Sequence, residues 1–242
     1  MTPPAASGVV RPTFRLLAIS QLATLPGAGG RGDAALGWFT ALAAAGVDAL
    51  QLREKHLDDL SLCQLARSAR AAFPPPAVLL VNGRADVALA AGADGVHLPA
   101  DGVPAGAARA RFGSGLLIGV STHRFAEVER ARRDGADYVV FGPVYPTPAK
   151  AGYGAPAGTR ALARAAALGI PVYALGGVTL ERFAEVAAAG AAGVAGIRLF
   201  QGLPEVDGGD AGDGMGKREH RGAGARIGAL ERVVAASRAC FP

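Results

Sequence analysis

The sequence is poor in charged and aromatic residues, has only two cysteines, and contains no long hydrophobic run. Charged residues make up 19% of the 242 residues and hydrophobic residues 50%, which excludes an intrinsically disordered chain. Cys63 and Cys240 lie far apart without a CxxC pattern, so we expect reduced thiols in a cytoplasmic protein. The least polar window, residues 34–47, is too short to span a bilayer, and the N-terminus lacks the pattern of a secretion signal. We therefore expect neither a membrane protein nor a secreted one.

The net charge of +5 does not indicate a nucleic-acid partner. The arginines are scattered through Ala-rich stretches of helical character and form no stripe interleaved with aromatic residues. Lysine is more informative because the chain contains only three: Lys55, Lys150 and Lys217. The first two follow predicted strands, which is where a cation can meet an anionic ligand.

Eight hydrophobic segments alternate with Ala-rich segments, which predicts strands separated by helices. Residues 1–12 form a predicted loose tail, and one barrel domain is predicted over residues 13–242. Within it, residues 202–225 hold eight glycines and are predicted to form a flexible insertion before a last helix over residues 226–238. The predicted strands span residues 14–20, 48–53, 77–82, 95–99, 116–121, 138–141, 171–177 and 193–200.

A short internal repeat supports this alternation. Gly46-Val-Asp48, Gly92-Ala-Asp94 and Gly135-Ala-Asp137 share one design, and Gly190-Ala-Ala192 is a weaker copy. In each, a glycine ends a helix and a buried strand follows at once. Eight predicted strands that alternate with helices indicate an α/β fold, a single (β/α)8 TIM barrel. The alternative, a doubly wound open sheet, would need a dinucleotide fingerprint, and residues 27–32 lack the GxGxxG spacing.

In a barrel of this kind, the active site lies at the C-terminal ends of the strands. The residues predicted there are cations, small polar residues and glycines, as a phosphate or diphosphate pocket requires. Each has an ordinary structural alternative: His97 can be a hydrogen-bonded core histidine, Ser121 a helix cap, and Arg53 the partner of Glu54 in a local ion pair. Their shared location is the stronger signal. The candidates are Arg53, Lys55, Asn82, His97, Ser121, His123, Thr147, Lys150, Gly176, Gly177, Gly196 and Arg198.

Several motifs occur in the order and spacing of a known family. Over residues 14–200 the chain resembles the thiamine phosphate synthase and TenI family of TIM barrels. The resemblance implies thiamine biosynthesis: the synthase joins hydroxymethylpyrimidine diphosphate to thiazole phosphate and releases diphosphate, whereas the TenI branch includes a thiazole tautomerase that needs no metal. The motifs are Gln51-Leu-Arg-Glu-Lys55, Val81-Asn-Gly-Arg-Ala-Asp86, Ala93-Asp-Gly-Val-His-Leu-Pro99, Ile118-Gly-Val-Ser-Thr-His123, residues 138–147 with Lys150, and Ala174-Leu-Gly-Gly-Val178.

The resemblance also implies roles for individual residues. Positions that hold the diphosphate in the synthase are matched by Arg53, Lys55, Asn82, Ser121 and Lys150. Positions in or beside the site of the thiazole phosphate are matched by Thr147, Gly176, Gly177, Ile197 and Arg198. Two positions depart from the family pattern, because Ala149 replaces a second loop threonine and Arg198 replaces a serine.

The metal site is the larger departure. The synthase uses two aspartates for Mg²⁺, and this chain has Gly83 and Gly102 at those positions, with Asp101 as the nearest candidate ligand. A tautomerase needs only a phosphate site and a proton shuttle, for which His123 and Lys150 are the catalytic candidates. The expected cofactor is therefore none, or Mg²⁺ for an active synthase.

Three hypotheses remain open from the sequence. The two glycines and His123 favour a TenI-type thiazole tautomerase, and the retained diphosphate set favours the synthase as the alternative. A non-catalytic barrel that binds a phosphorylated thiamine precursor is the third. We expect phosphorylated thiazole and pyrimidine ligands, no nucleic acid and no membrane as partners, and we leave a homo-oligomer open.

Overall fold

The computed structural model describes residues 14–25, 32–147, 155–201 and 215–241. Eight parallel strands form a closed barrel in sequence order, with the last strand paired to the first. The predicted TIM barrel is confirmed, and the open-sheet alternative is wrong. The strands are β1 (Leu16–Ile19), β2 (Ala49–Leu52), β3 (Val78–Asn82), β4 (Gly95–Leu98), β5 (Leu117–Thr122), β6 (Tyr138–Phe141), β7 (Val172–Leu175) and β8 (Gly193–Gly196).

The α-helices cover the outside of this barrel. None of them, within the ranges given above, is long and apolar enough to cross a membrane. Asp58 caps the second helix as its side chain accepts a hydrogen bond from the backbone N–H of Ser61. The helices are α1 (Gly32–Ala45), α2 (Asp59–Ala72), α3 (Ala85–Ala90), α4 (Ala105–Phe112), α5 (Phe125–Arg133), α6 (Gly158–Ala166), α7 (Phe183–Ala188), α8 (Arg198–Gln201) and α9 (Met215–Cys240).

Two element boundaries near the C-terminus differ from the sequence prediction. The eighth strand ends at Gly196, and residues Arg198–Gln201 form α8, where Phe200 is buried and its carbonyl accepts a hydrogen bond from the Trp38 indole. A run of this length is too short for its hydrophobic period to distinguish a strand from a helical turn. The last helix begins at Met215, within the predicted insertion. The predicted tail and residues 202–214 lie outside the described residues.

Aromatic rings fill the barrel at the N-terminal end of the strands. Phe14 stacks on Tyr173 with 4.5 Å between ring centroids and meets Tyr138 edge-on at 5.3 Å. Tyr138 fits only because Gly119 faces it, since a Cβ atom there would lie 2.0 Å from the Tyr138 ring carbon Cζ. The interior is thus packed at one end, and a ligand can enter only at the other.

The internal repeat has a structural reason at this packed end. Asp48 accepts hydrogen bonds from two backbone N–H groups at the start of β1 (3.0 Å each), Asp94 from one at the start of β3 (2.7 Å), and Asp137 from one near the start of β5 (2.6 Å). Asp94 also forms an ion pair with Arg70 at 2.7 Å, and Asp137 forms one with Arg109 at 2.6 Å. Each aspartate therefore ties the strand it precedes to the previous strand.

Candidate active site

Polar side chains line the inner face of four adjacent strands at the open end of the barrel. Successive side chains of a strand alternate between its two faces. Ala49 and Leu80 belong to the cluster inside the barrel, so Gln51, Arg53 and Asn82 follow them on the inner face. The strand register places Asn82 beside His97. Three of the predicted ligand contacts, Arg53, Asn82 and Ser121, are brought to this wall together with His97.

His97 is the centre of the wall. It is 2% exposed, its Nε2 lies 2.9 Å from the hydroxyl oxygen of Ser121, and its Nδ1 lies 3.1 Å from the hydroxyl oxygen of Tyr138. Burial lowers the pKa of His97 to about 3, and the positive charge of Arg53 contributes in the same direction. The ring is therefore neutral at physiological pH, and the guanidinium of Arg53 lies within electrostatic range of it.

The loop after β2 is held by a buried carboxylate. Glu54, 5% exposed, accepts hydrogen bonds from the Ser20 hydroxyl at 2.6 Å and from the Leu22 N–H at 3.0 Å. The Ser20 hydroxyl in turn accepts from the backbone N–H of Arg53 at 2.9 Å. The local ion pair between Arg53 and Glu54 that the sequence allowed does not form. Instead Glu54 anchors the segment between Arg53 and the exposed Lys55, so both cations sit at the open end.

Gln51 is a candidate site residue that the sequence reasoning did not single out. It is 1% exposed, and its amide nitrogen Nε2 has no hydrogen-bond partner among the described residues. An unpaired buried amide costs about 1–3 kcal/mol, and a ligand atom that accepts a hydrogen bond from Nε2 would remove this cost. The available signal was its place at the head of the Gln51–Lys55 motif, on the same face as Arg53.

Two glycines after β7 form the predicted phosphate corner. Gly176 and Gly177 have φ angles of +91° and +65°, which residues other than glycine rarely adopt. A Cβ atom on Gly177 would lie 2.5 Å from the carbonyl oxygen of Pro146, and one on Gly176 would lie 2.7 Å from Cβ of Pro143. The loops after β6 and β7 therefore pack directly on each other, and this leaves backbone rather than side chain at the surface a ligand would meet.

The same corner brings Thr147 and Arg198 together. Nη2 of Arg198 donates a hydrogen bond to Oγ1 of Thr147 at 2.6 Å, across 51 positions of sequence. Ile197, half-buried, packs against the cluster inside the barrel. Lys150, the lysine predicted to act in catalysis and phosphate binding, lies outside the described residues. Its roles stay a prediction.

His123 lies at the mouth of the barrel just after β5, as predicted. Its Nδ1 is 2.5 Å from the carbonyl oxygen of Gly142, and its backbone N–H donates to Glu127 at 2.7 Å. A carbonyl only accepts hydrogen bonds, so Nδ1 carries a hydrogen, and Nε2 is the ring nitrogen left to meet a ligand. The contact with Gly142 thus fixes the ring of this exposed side chain with Nε2 directed away from that carbonyl.

The residues near Asn82 do not fit a Mg²⁺ ion held by carboxylates. Gly83 offers no side chain, and a Cβ atom on Gly102 would lie 3.0 Å from Cδ of Pro99 and 3.2 Å from its carbonyl oxygen. Asp101, the candidate ligand, has an exposed side chain. No group of three or more His, Cys, Asp or Glu side chains in the described parts of the chain is arranged to hold a metal ion.

Comparison with known proteins extends this picture. A family model described as thiamine monophosphate synthase matches residues 24–200. The thiamine-phosphate synthase of Chlorobium luteolum is 45% identical over 155 residues, which cover 62% of this chain and 72% of that protein. The thiamine-phosphate synthase of Methanoculleus marisnigri is 43% identical over 166 residues, covering 68% and 79% respectively.

A solved structure agrees with these sequence matches. The thiamine phosphate pyrophosphorylase from Pyrococcus furiosus superposes with a TM-score of 0.74 at 25% identity, over 95% of this chain and 98% of that one. The family model covers well over half of the 242 residues, including each of the inner-wall residues described above. The chain therefore belongs to the thiamine monophosphate synthase family.

Proposed function

We propose that the protein is a thiamine-phosphate synthase, which joins a pyrimidine diphosphate to a thiazole phosphate and releases diphosphate. The observation that carries this proposal is the continuous inner wall of Arg53, Asn82, His97 and Ser121 above the unpaired amide of Gln51. Such a wall suits a ligand with an anionic end at the mouth and a polar ring deeper in the barrel. The names of the relatives support the synthase rather than the tautomerase that the sequence alone favoured.

The chain's own residues supply electrostatic stabilisation for this reaction. When the bond between the pyrimidine methylene carbon and the diphosphate oxygen breaks, negative charge accumulates on the leaving diphosphate. Arg53 and Lys55 at the mouth, with the hydroxyl of Ser121, are donors whose hydrogen bonds strengthen as that charge grows. Gln51 would orient the ring by donating to an acceptor atom on it. The anchored backbone of Glu54 keeps the two cations in place before the ligand arrives.

The corner formed by Gly176, Gly177, Thr147 and Arg198 would bind the thiazole phosphate. Backbone at a glycine turn can approach a phosphate closely, and a guanidinium binds two of its oxygens at once. The two anionic ends would then lie on opposite sides of the mouth. That arrangement brings the two reacting rings together over the barrel interior and lowers the entropic cost of their encounter.

Thiazole tautomerase activity is the second candidate, favoured by one specific observation. His123 has its Nδ1 held by the carbonyl of Gly142, which leaves Nε2 for a ligand at the mouth, and Gly83 and Gly102 stand where the synthase branch has carboxylates. A proton transfer on a carboxythiazole phosphate needs a base of this kind and no metal ligand.

One pair of assays distinguishes the two activities. The full chain is incubated with hydroxymethylpyrimidine diphosphate, thiazole phosphate and MgCl₂, and separately with the carboxythiazole phosphate tautomer. We expect thiamine phosphate and diphosphate to form in equal amounts, and Arg53→Gln to abolish most of this activity while His123→Gln retains it. Isomerisation of the carboxythiazole phosphate without any thiamine phosphate would overturn the proposal, above all if His123→Gln abolished that isomerisation.

A further inference from the structure

We propose that His97 is a positioning residue: one fixed tautomer of its ring directs the hydroxyl hydrogen of Ser121 into the pocket, towards an anionic oxygen of the ligand. The inference rests on the proposed function only for the identity of that ligand. The direction of the hydrogen-bond chain follows from the three side chains themselves.

The hydrogen-bond chain starts at Tyr138, inside the barrel. Its side chain is fully buried, and its ring occupies the space left by Gly119. Among the described residues, Nδ1 of His97 is the hydrogen-bond partner of its hydroxyl, at 3.1 Å. Burial raises the pKa of Tyr138 well above its ordinary value, so the hydroxyl keeps its hydrogen. That hydrogen needs an acceptor, and the available acceptor is Nδ1.

The ring of His97 then transmits this direction. A neutral imidazole carries one N–H and one lone pair, so a ring that accepts at Nδ1 must donate at Nε2. The ring stays neutral because burial and the charge of Arg53 lower its pKa to about 3. Nε2 therefore donates to the hydroxyl oxygen of Ser121 at 2.9 Å. The opposite direction would leave the buried Tyr138 hydroxyl hydrogen without a partner, which native interiors avoid.

Ser121 is the last member of the hydrogen-bond chain and the one that meets the ligand. It is half-buried at the end of β5, and His97 is its side-chain partner within the described residues. Because its oxygen accepts from His97, its own hydrogen remains available to the pocket. If the hydrogen bonds ran in the opposite direction, the Ser121 hydroxyl would donate its hydrogen to Nε2 of His97. Its oxygen would then present a lone pair to a phosphate oxygen, and the two would repel each other. Tyr138, although distant from the mouth, thus decides whether Ser121 attracts or repels an anion.

The tautomer can be measured in the free protein. The full chain is labelled with ¹⁵N-histidine, and long-range ¹H–¹⁵N spectra are assigned by His56→Gln, His123→Gln and His220→Gln, so that His97 is identified without altering it. We expect the His97 ring to remain neutral from pH 5 to 8, with Nε2 protonated and Nδ1 unprotonated. A His97 ring protonated at Nδ1 overturns the proposal.

A binding experiment tests the consequence for the ligand, with inorganic diphosphate as the probe in a calorimetric titration. Tyr138→Phe removes the hydroxyl that sets the direction, and we expect the Kd for diphosphate to rise about fivefold, the effect of losing one hydrogen bond to an anion. Tyr173→Phe is the matched control, because its buried hydroxyl donates to the carbonyl of Phe14 and takes no part in the chain. We expect less than about a twofold change there, the size of a substitution that touches no ligand contact.

The double variant makes the test independent of general damage to the barrel. Ser121→Ala alone should weaken diphosphate binding, and adding Tyr138→Phe to it should weaken binding no further, because both act through one hydrogen. Additive losses, or equal losses in Tyr138→Phe and Tyr173→Phe, would show a merely structural role and overturn the proposal. Failure of the proposed function is distinguishable: thiamine phosphate would not form, while the tautomer and the coupled loss of diphosphate affinity would remain.

Discussion

Arg198 donates a hydrogen bond of 2.6 Å to the hydroxyl of Thr147, and this contact joins the end of β8 to the loop after β6. No described carboxylate forms an ion pair with Arg198. Within the part of the chain that the structure describes, no carboxylate therefore balances the guanidinium charge near the glycine turn at 176 and 177. A phosphate bound at this corner would meet a cation and a hydroxyl already held in contact.

Replacing Arg198 tests whether this cation binds the thiazole phosphate. We expect Arg198→Ser to raise the KM for thiazole phosphate about tenfold with a smaller change in kcat, because the contact forms in the ground state and in the transition state alike. Arg198→Lys keeps the charge but loses the bidentate geometry of a guanidinium, so its KM for thiazole phosphate should lie between those of the wild type and Arg198→Ser. Steady-state kinetics with each substrate varied in turn would measure this. A raised KM for the pyrimidine diphosphate alone would contradict the assignment.

Gln51 should show a trade between stability and activity. No described residue pairs with its buried Nε2, so Gln51→Leu, of similar volume, should raise the free energy of unfolding by about 1 kcal/mol. The same variant should lower kcat/KM at least about tenfold, because the ring of the substrate loses its donor. Urea denaturation and steady-state kinetics measure the two effects. A destabilised variant with full activity would mean that Gln51 has an ordinary structural role.

Gly177 offers a matched pair with Gly92. Their φ angles are +65° and +67°, but a Cβ atom on Gly92 meets nothing within 4 Å, whereas one on Gly177 would approach the Pro146 carbonyl oxygen to 2.5 Å. Gly92→Ala should cost about 1 kcal/mol in backbone strain alone. Gly177→Ala should cost about 2 kcal/mol more, because the loop after β6 must shift. It should also raise the KM for thiazole phosphate, whereas Gly92→Ala should not. Equal stabilities and equal KM values for the two variants would exclude a close contact at the corner.

The pKa of His97 predicts how stability depends on pH. The unfolded chain takes up a proton near pH 6.5 and the folded protein only near pH 3, so between these values the unfolded state binds more protons. Stability is therefore full above about pH 6.5 and falls as the pH decreases, with about 2 kcal/mol lost from this group at pH 5.

His97→Gln should remove this part of the pH dependence. Unfolding by urea at pH 5 and pH 8 measures the change in the free energy of unfolding for both proteins. The difference in the free energy of unfolding between wild type and variant at pH 8 serves as the reference, because the imidazole is neutral there in both the folded and the unfolded state. Identical slopes for the two proteins between pH 5 and 8 would place the folded pKa of His97 close to its ordinary value.

The sequence determined the barrel and the face on which each inner residue lies. Glycine-ended helices followed by buried strands predict the alternating fold, and the two-residue period of a strand carries Arg53, Asn82 and Ser121 to its interior. The repeat of Gly46-Val-Asp48 was visible as well. The structural role of its aspartate could not be predicted from the sequence, because the backbone groups that the aspartate binds belong to the preceding strand.

Only the tertiary structure decided which groups touch. Periodicity assigns a side chain to a face, but the stagger between neighbouring strands sets which atoms come within hydrogen-bond distance. The contacts of His97 span 24 and 41 positions, and that of Arg198 with Thr147 spans 51. The unpaired nitrogen of Gln51 is likewise a property of its surroundings, since whether a buried amide finds a partner depends on residues that the packed barrel brings to it.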